Sequence, residues 1–155
     1  MKEKILEAFK ALGFIMNEFD EMAYDFSYEG RRYLFFLCEN DEGFLNIALP
    51  CVVEEGETDE ESFHQIMDKL NSIMKYVKAY KAFGGITLFY ERELIGDEDL
   101  IVVIRKMIHH LDAGLYLLLH NIITDDDDDD SGDNNDTDVS DDMEETEVKD
   151  NDEVA

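Results

Sequence analysis

Apolar residues recur along this chain with two different periods, which alternate in blocks. Residues 2–12 carry Ile5 and Phe9 at helical spacing, and Gly13 follows, where a left-handed residue can end a helix. From Met22 to Tyr28 the period changes to two, which is typical of a strand with one buried face. The pattern therefore predicts a short amphipathic helix followed by a strand.

Turn residues divide the next apolar stretch into two more strands. Glu29-Gly30 predicts a two-residue turn into a strand over residues 31–38. A three-residue loop, Asp41 to Gly43, then leads into a strand over residues 44–52, because its glycine can take the positive φ that such loops require. Residues 21–52 are therefore predicted to form a three-stranded meander.

The second half of the chain begins with the strongest helical signal. Thr58-Asp59-Glu60-Glu61 has the form of a capping box that begins at Thr58, and apolar residues follow at three- and four-residue steps as far as Met74. Two strands, residues 77–83 and 86–94, flank Gly84-Gly85, which predicts a hairpin with these glycines as its turn. An apolar stripe from Leu100 to Ile122 predicts a final helix.

The elements follow the order α-βββ-α-ββ-α, so the predicted fold class is α+β, with a five-stranded antiparallel sheet packed against helices. The domain is predicted to cover residues 1–124. From Asp125 the periodicity stops, six aspartates stand in a row, and no aromatic residue follows. Such a segment buries too little apolar surface to offset the cost of fixing its backbone, about 1 to 2 kcal/mol per residue. Residues 125–155 are therefore predicted to be a disordered acidic tail.

The charge of the chain excludes several classes of partner. Its 40 acidic and 13 basic side chains give a formal net charge of −27. Residues 1–124 hold 23 acids and 12 bases, and residues 125–155 hold 17 acids and one lysine, so the two parts carry −11 and −16. A surface this negative repels phosphate backbones and anionic lipid, which argues against nucleic-acid binding and membrane docking. Basic protein partners remain compatible with it.

The remaining features favour a cytoplasmic protein. The longest apolar run, Leu115 to Leu119, is far shorter than the roughly 18 residues of a membrane span. The first residues, Met1 to Glu7, include acids where a secretory signal needs an apolar core. Two cysteines, Cys38 and Cys51, are too few for a disulfide framework and are expected to be buried thiols in strands.

Patterns that would indicate catalysis or metal binding are weak. His109 and His110 are adjacent on the last predicted helix and point about 100° apart, so they cannot share a metal ion in the usual way. The other histidines, His64 and His120, stand apart in the sequence. A calcium-loop spacing begins at Asp127, but an Asp-rich tract produces such matches by chance and no helix follows. Since no phosphate loop, catalytic triad or dinucleotide fingerprint is present, a non-enzymatic protein without a cofactor is predicted.

The predicted loops also determine which residues pair across the strands. The expected pairs are Phe26 with Tyr33, Phe35 with Leu49, Leu37 with Ile47, Phe83 with Ile86, and Tyr80 with Phe89. All except the last are expected on the face that the helices cover. The last pair is expected on the opposite face of the sheet.

This opposite face contains the candidate partner-binding residues. They are Leu34, Phe36, Tyr80 and Phe89, which are predicted to form an apolar strip beside polar positions. At least two of the four are expected to be partly exposed in the monomer, because helices cannot easily cover both faces of a sheet. A contiguous exposed strip indicates a partner or dimer surface. Ordinary cross-strand packing, or coverage by the last helix, explains the pattern equally well.

A family resemblance rests on the order of elements over residues 1–123. The segments that carry it are Leu12-Gly13, the meander 25–52 with Gly30 at its first turn, Leu70-Asn71, and the hairpin 77–94. In this order the chain resembles the YbjN family and the structurally related type III secretion chaperones of the CesT/Tir class. The resemblance implies a small α+β domain, often dimeric, that binds other proteins and has no catalytic residues to carry over.

Two functions remain open at this point. The first is a non-enzymatic, protein-binding domain, chaperone-like or regulatory, that binds a protein partner or client through its sheet face and can form a homodimer. The second is a regulatory protein whose acidic tail binds basic proteins or cations by charge.

Overall fold

A computed structural model of the chain describes residues 1–38 and 43–122. The helices and strands in these ranges are α1 (Lys2–Ala11), β1 (Asn17–Asp20), β2 (Ala23–Tyr28), β3 (Arg31–Leu37), β4 (Phe44–Glu54), α2 (Glu60–Ile73), β5 (Val77–Ala82), β6 (Gly85–Glu93) and α3 (Leu100–Leu117), and a π-helical segment, Leu118–Ile122, follows α3. The predicted α+β class is confirmed. The predicted disordered tail, residues 125–155, lies outside the described residues.

The strands form one antiparallel sheet with the order β1-β2-β3-β4-β6-β5. It has six strands in the described ranges, one more than predicted, because β1 pairs with β2 on the side away from β3. All four residues of β1 are exposed. A strand with no buried face has no alternation of apolar and polar residues, so its sequence contains no periodic signal.

The register of the first hairpin is as predicted, and that of the next strand pair is not. Phe26 pairs with Tyr33, and the turn Glu29-Gly30 has positive φ at both residues, 48° and 76°, as a two-residue turn requires. In contrast, Phe35 pairs with Ile47 rather than Leu49, and Leu37 pairs with Leu45. The predicted register was therefore wrong by two residues. Because side chains alternate with a period of two, this error left every residue on its predicted face.

The second hairpin turns one residue earlier than predicted. Ala82 pairs with Gly85, so the two-residue turn is Phe83-Gly84, with φ of 55° and 85°. The predicted pairs Phe83 with Ile86 and Tyr80 with Phe89 are therefore wrong, and Tyr80 opposes Thr87 instead. Gly85 lies inside β6, where an added Cβ would come within 2.1 Å of the Val53 carbonyl oxygen. Position 85 must be a glycine because β6 approaches β4 closely there, whereas Gly84 is needed for the conformation of the turn.

The three helices cover one face of the sheet, the inner face, and the main hydrophobic core lies between them. The largest fully buried side chains of this core include Phe9, Phe26, Tyr33, Phe35, Ile47, Leu70, Leu88, Ile104 and Met107. Aromatic rings from α1 and the meander meet at its centre, where the Phe9 ring centroid lies 5.0 Å from that of Phe26 and 5.1 Å from that of Phe35. The predicted assignment of Phe26 and Phe35 to the helix-covered face is confirmed.

Two local predictions need correction. The N-cap of α2 is Asp59, not Thr58, because an Asp59 carboxylate oxygen accepts a hydrogen bond of 2.9 Å from the Ser62 amide. This bond lowers the pKa of the Asp59 carboxyl. Cys38 and Cys51, expected to be buried, are both half-buried, and Cys51 lies at an irregularity of β4.

Candidate functional site: the outer face of the sheet

The sheet face opposite the helices, the outer face, has a small apolar core of its own. Leu34, Ala48 and Phe89 pair in one row across β3, β4 and β6, and they are only 3%, 0% and 5% exposed. Phe36 and Ala82 pack against this row and are half-buried. Of the four candidate residues, Leu34 and Phe89 are thus buried within the monomer. Phe36 is half-buried, and Tyr80 is 41% exposed.

Aromatic rings lie over this row and form the surface of the outer face. The Tyr80 ring is stacked on the Phe89 ring, with centroids 4.1 Å apart. The Phe83 ring lies 6.4 Å from Phe89 and is stacked on the Phe36 ring at 5.9 Å. We call Leu34, Phe36, Ala48, Tyr80, Ala82, Phe83 and Phe89 together the outer cluster. Its exposed members are Tyr80 and Phe83, the latter 54% exposed.

Sequence reasoning missed Phe83, which was predicted to point toward the helices. Phe83 lies in the turn and so does not follow the side-chain alternation of either flanking strand. No periodic signal was therefore available to place it on a face. Its φ of 55° is unusual for a bulky side chain and indicates local backbone strain. In this conformation the hairpin turn carries the Phe83 ring back over the outer face, where it covers the Phe89 side of the cluster.

An irregularity in β4 positions this turn. The register of β4 against β6 shifts between Leu49 and Val53. Cys51, in the middle of this irregular segment, has a φ of 53°. Such bulges bend the strand and increase its twist. The buried Thr87 hydroxyl fixes the bend, since it accepts a hydrogen bond from the Cys51 amide at 3.2 Å and donates one to the Ala82 carbonyl at 2.9 Å. Glu55 adds a backbone bond to the Gly84 carbonyl, so the hairpin tip is held against the end of β4.

Ion pairs surround the outer cluster. Arg32 donates to Asp25 at 2.7 Å, which lowers the pKa of the Asp25 carboxyl. Lys78 donates to Glu91 at 2.8 Å, and this bond raises the pKa of the lysine. Lys81, which opposes Ile86 and so lies on the inner side of β5, pairs with Glu55. Each basic side chain that borders the cluster in the described strands is thus already bonded to a carboxylate.

Both edges of the sheet carry features that oppose the addition of a further strand from another chain. At the β5 edge, the Asn71 side chain accepts from the Ala79 amide at 2.7 Å and donates to the Ala79 carbonyl at 2.8 Å. At the other edge, β1 is short, irregular, and carries Glu18 and Asp20. Charge, irregularity and short length are the means by which edge strands avoid pairing with other chains.

A concavity lies toward the C-terminal end of α3, beside residues that hold α3 against the first hairpin. The buried Tyr33 hydroxyl donates to Asp112 at 2.5 Å, and Arg31 reaches the same carboxylate at 3.3 Å. Burial, together with this bond, raises the pKa of Tyr33. His109 and His120 line the concavity. These groups connect α3 to the first hairpin and do not form a recognisable catalytic arrangement.

The other two histidines, His64 and His110, do not line this concavity. His110 packs edge-on against the stacked rings of Tyr76 and Tyr90, with centroid distances of 5.1 and 5.6 Å, and His64 is exposed on α2. Over residues 1–38 and 43–122, no group of three or more His, Cys, Asp or Glu side chains is arranged to hold a metal ion. In the same ranges, no helix is both long and apolar enough to cross a membrane.

The fold and the outer cluster together define an α+β domain with helices on one sheet face and an aromatic surface on the other. No protein-family model matches the chain, and no curated protein matches its sequence. Among solved structures, it is similar to a chain of the heterodimeric ExoU–SpcU complex from the type III secretion system of Pseudomonas aeruginosa. The TM-score is 0.45 and the identity 15%, over 70% of this chain and 86% of that chain. A likeness at this TM-score carries no functional argument, and the resemblance to the YbjN family stays a prediction.

Proposed function

We propose that this protein is a cytoplasmic, non-enzymatic protein-binding domain, chaperone-like or regulatory, that binds its partner or client through the outer cluster. The observation that carries the proposal is the group of adjacent, partly exposed aromatic rings of Phe36, Tyr80 and Phe83 on a sheet face that α1, α2 and α3 leave uncovered. Adjacent exposed apolar groups of this kind mark interaction surfaces.

The arrangement of the cluster suits a binding anchor. Aromatic side chains supply a large contact area with few rotatable bonds, and they dominate the energy of many interfaces. Here Leu34, Ala48 and Phe89 form a packed base, and Tyr80 is stacked on that base at 4.1 Å. A partner would therefore meet rings that are already ordered, so that binding requires little loss of side-chain entropy.

Replacing Tyr80 with Ser is expected to weaken partner binding while leaving the fold intact. Loss of one anchoring ring typically costs on the order of 1 to 2 kcal/mol, which is roughly a tenfold loss of affinity. The same effect is expected for Phe36→Ser. The measurement is the affinity of captured partner proteins for each variant, with circular dichroism to verify folding.

Tyr116→Ser is the matched control, because Tyr116 is also an exposed tyrosine, 60% exposed, but lies on α3 away from the outer face. If Tyr116→Ser weakens partner binding as much as Tyr80→Ser does, the binding site is not on the outer cluster. Phe89→Ser is unsuitable for this test. Its side chain is only 5% exposed, so the substitution is expected to destabilise the domain.

A second candidate function follows from the charge of residues 125–155, which hold 17 acids and one lysine. In this alternative the acidic tail is the active part and binds basic proteins or cations. A chain that ends at Thr124 distinguishes the two functions. If it loses every partner of the full chain, the tail is responsible and the outer cluster is not.

The same shortened chain tests the contribution of the tail to folding. Its thermal midpoint is expected to stay within a few degrees of that of the full chain, because the tail offers few side chains to bury. A small rise is also consistent, since removing the tail relieves repulsion with the acidic domain. A large fall in the midpoint, measured by differential scanning calorimetry, would show that the tail packs on the domain.

A further inference from the structure

The sheet edges limit how a partner segment can bind. An extended segment gains affinity by adding a strand to an open edge. At the β5 edge, Asn71 already bonds both backbone groups of Ala79. At the β1 edge, the strand has only four residues, is irregular and carries two acids. Side-chain contact with the outer face is therefore favoured over strand addition.

The dimensions of the outer cluster match a helix. Phe36 lies on β3 and Tyr80 on β5, and the strand order places β4 and β6 between them. Three strand spacings of about 4.8 Å give a width of roughly 14 Å. A helix rises about 1.5 Å per residue, so roughly three turns cross this width and present apolar residues at i, i+4 and i+7 to the rings.

Charge indicates the composition of that helix. The basic residues beside the cluster on the outer face, Arg32 and Lys78, are each bonded to a carboxylate. Glu93 continues the same face of β6 and is exposed. The whole chain carries −27, so a second copy or an acidic partner would be repelled, whereas a basic segment would be attracted and its association accelerated.

We infer that the segment bound on the outer cluster is a basic amphipathic helix, with aliphatic or aromatic anchors on the rings of Phe36, Tyr80 and Phe83 and with lysines or arginines toward the surrounding carboxylates. The inference rests on the proposed function, because it names the partner of the same surface.

Three synthetic 15-residue helical peptides test it against the full-length chain. The first has Leu at i, i+4, i+7 and i+11 with Lys on its polar face. The second replaces every Lys with Glu, and the third replaces every Leu with Ser. Fluorescence anisotropy is expected to show binding of the first peptide and at least tenfold weaker binding of the other two. Tyr80→Ser and Phe36→Ser should each weaken the first peptide about tenfold, whereas Tyr116→Ser should not.

Each contrary outcome has a defined meaning. Equal binding of the Ser-substituted peptide would show attraction by charge alone and overturn the inference. Equal binding of the Glu-substituted peptide, still sensitive to Tyr80→Ser, would overturn the basic partner but leave the proposed function standing. If the first peptide is insensitive to both variants while captured natural partners remain sensitive, the inference fails alone. If natural partners are insensitive as well, the proposed function fails too.

Self-association is examined with the same variants. The wild-type chain is expected to sediment as a monomer at physiological ionic strength. A dimer that Tyr80→Ser dissociates would show that a second copy covers the outer cluster, which would overturn the inference.

Discussion

Phe35→Ala is expected to lower the free energy of unfolding by about 3 to 5 kcal/mol, the usual cost of removing a buried phenylalanine ring. The Phe35 side chain is fully buried, and its ring lies 5.1 Å from Phe9 and 6.1 Å from Tyr24. Since small domains are stable by only about 5 to 15 kcal/mol, this loss is a large fraction of the total. Denaturant unfolding followed by circular dichroism measures it.

The adjacent residue supplies the control, because it lies on the same strand but points to the other face. Phe36 is half-buried and stacks on Phe83 at 5.9 Å, so Phe36→Ala is expected to cost about 1 kcal/mol. Losses of equal size would mean that the outer cluster is as much a part of the structural core as the inner face. The reading of Phe36 as a surface anchor would then fail.

Gly85→Ala is expected to destabilise the domain by about 3 kcal/mol, at the upper end of the usual cost of overpacking. The added Cβ would lie 2.1 Å from the Val53 carbonyl oxygen and 2.9 Å from the Cys51 sulfur. The nearer atom belongs to the backbone of β4, so relief requires β4 and β6 to separate. A fall of roughly 10 °C or more in the thermal midpoint is expected.

Gly84→Ala is the control for this prediction. Gly84 has a φ of 85° and open space around its missing side chain, so alanine there incurs only left-handed backbone strain, about 1 to 2 kcal/mol. If Gly84→Ala proves the more damaging substitution, the close contact between Gly85 of β6 and the Val53 carbonyl oxygen of β4 is misplaced.

Much of the architecture follows from local sequence features. The α+β class and the assignment of Phe26 and Phe35 to the helix-covered face were predicted correctly, because helical and strand periods are properties of a few neighbouring residues. The turn at Glu29-Gly30 was also correct, since both residues tolerate or favour the positive φ that a two-residue turn needs. Asp59 was overlooked as the cap of α2, because Thr58 and Asp59 are both suitable capping residues and only the bond to Ser62 distinguishes them.

The candidate site was predicted only in part. The sequence placed Leu34, Phe36, Tyr80 and Phe89 on one face, and a two-residue register error does not alter that placement. It could not indicate that Leu34 and Phe89 are buried under rings from their own sheet, nor that Phe83 supplies one of those rings. Those facts depend on the bend of β4 at Cys51, which brings the hairpin turn over residues distant in sequence.

By itself, then, the sequence determined the periods, the order of the main elements and the sheet faces, because each arises from interactions between near neighbours along the chain. The tertiary structure alone decided β1, which has no buried face to mark it, and the position of the second hairpin turn at Phe83-Gly84 rather than Gly84-Gly85. That choice depends on the Val53 carbonyl oxygen, which leaves no room for a side chain at Gly85. Contacts of this kind join residues on different strands, so no pattern along the chain records them.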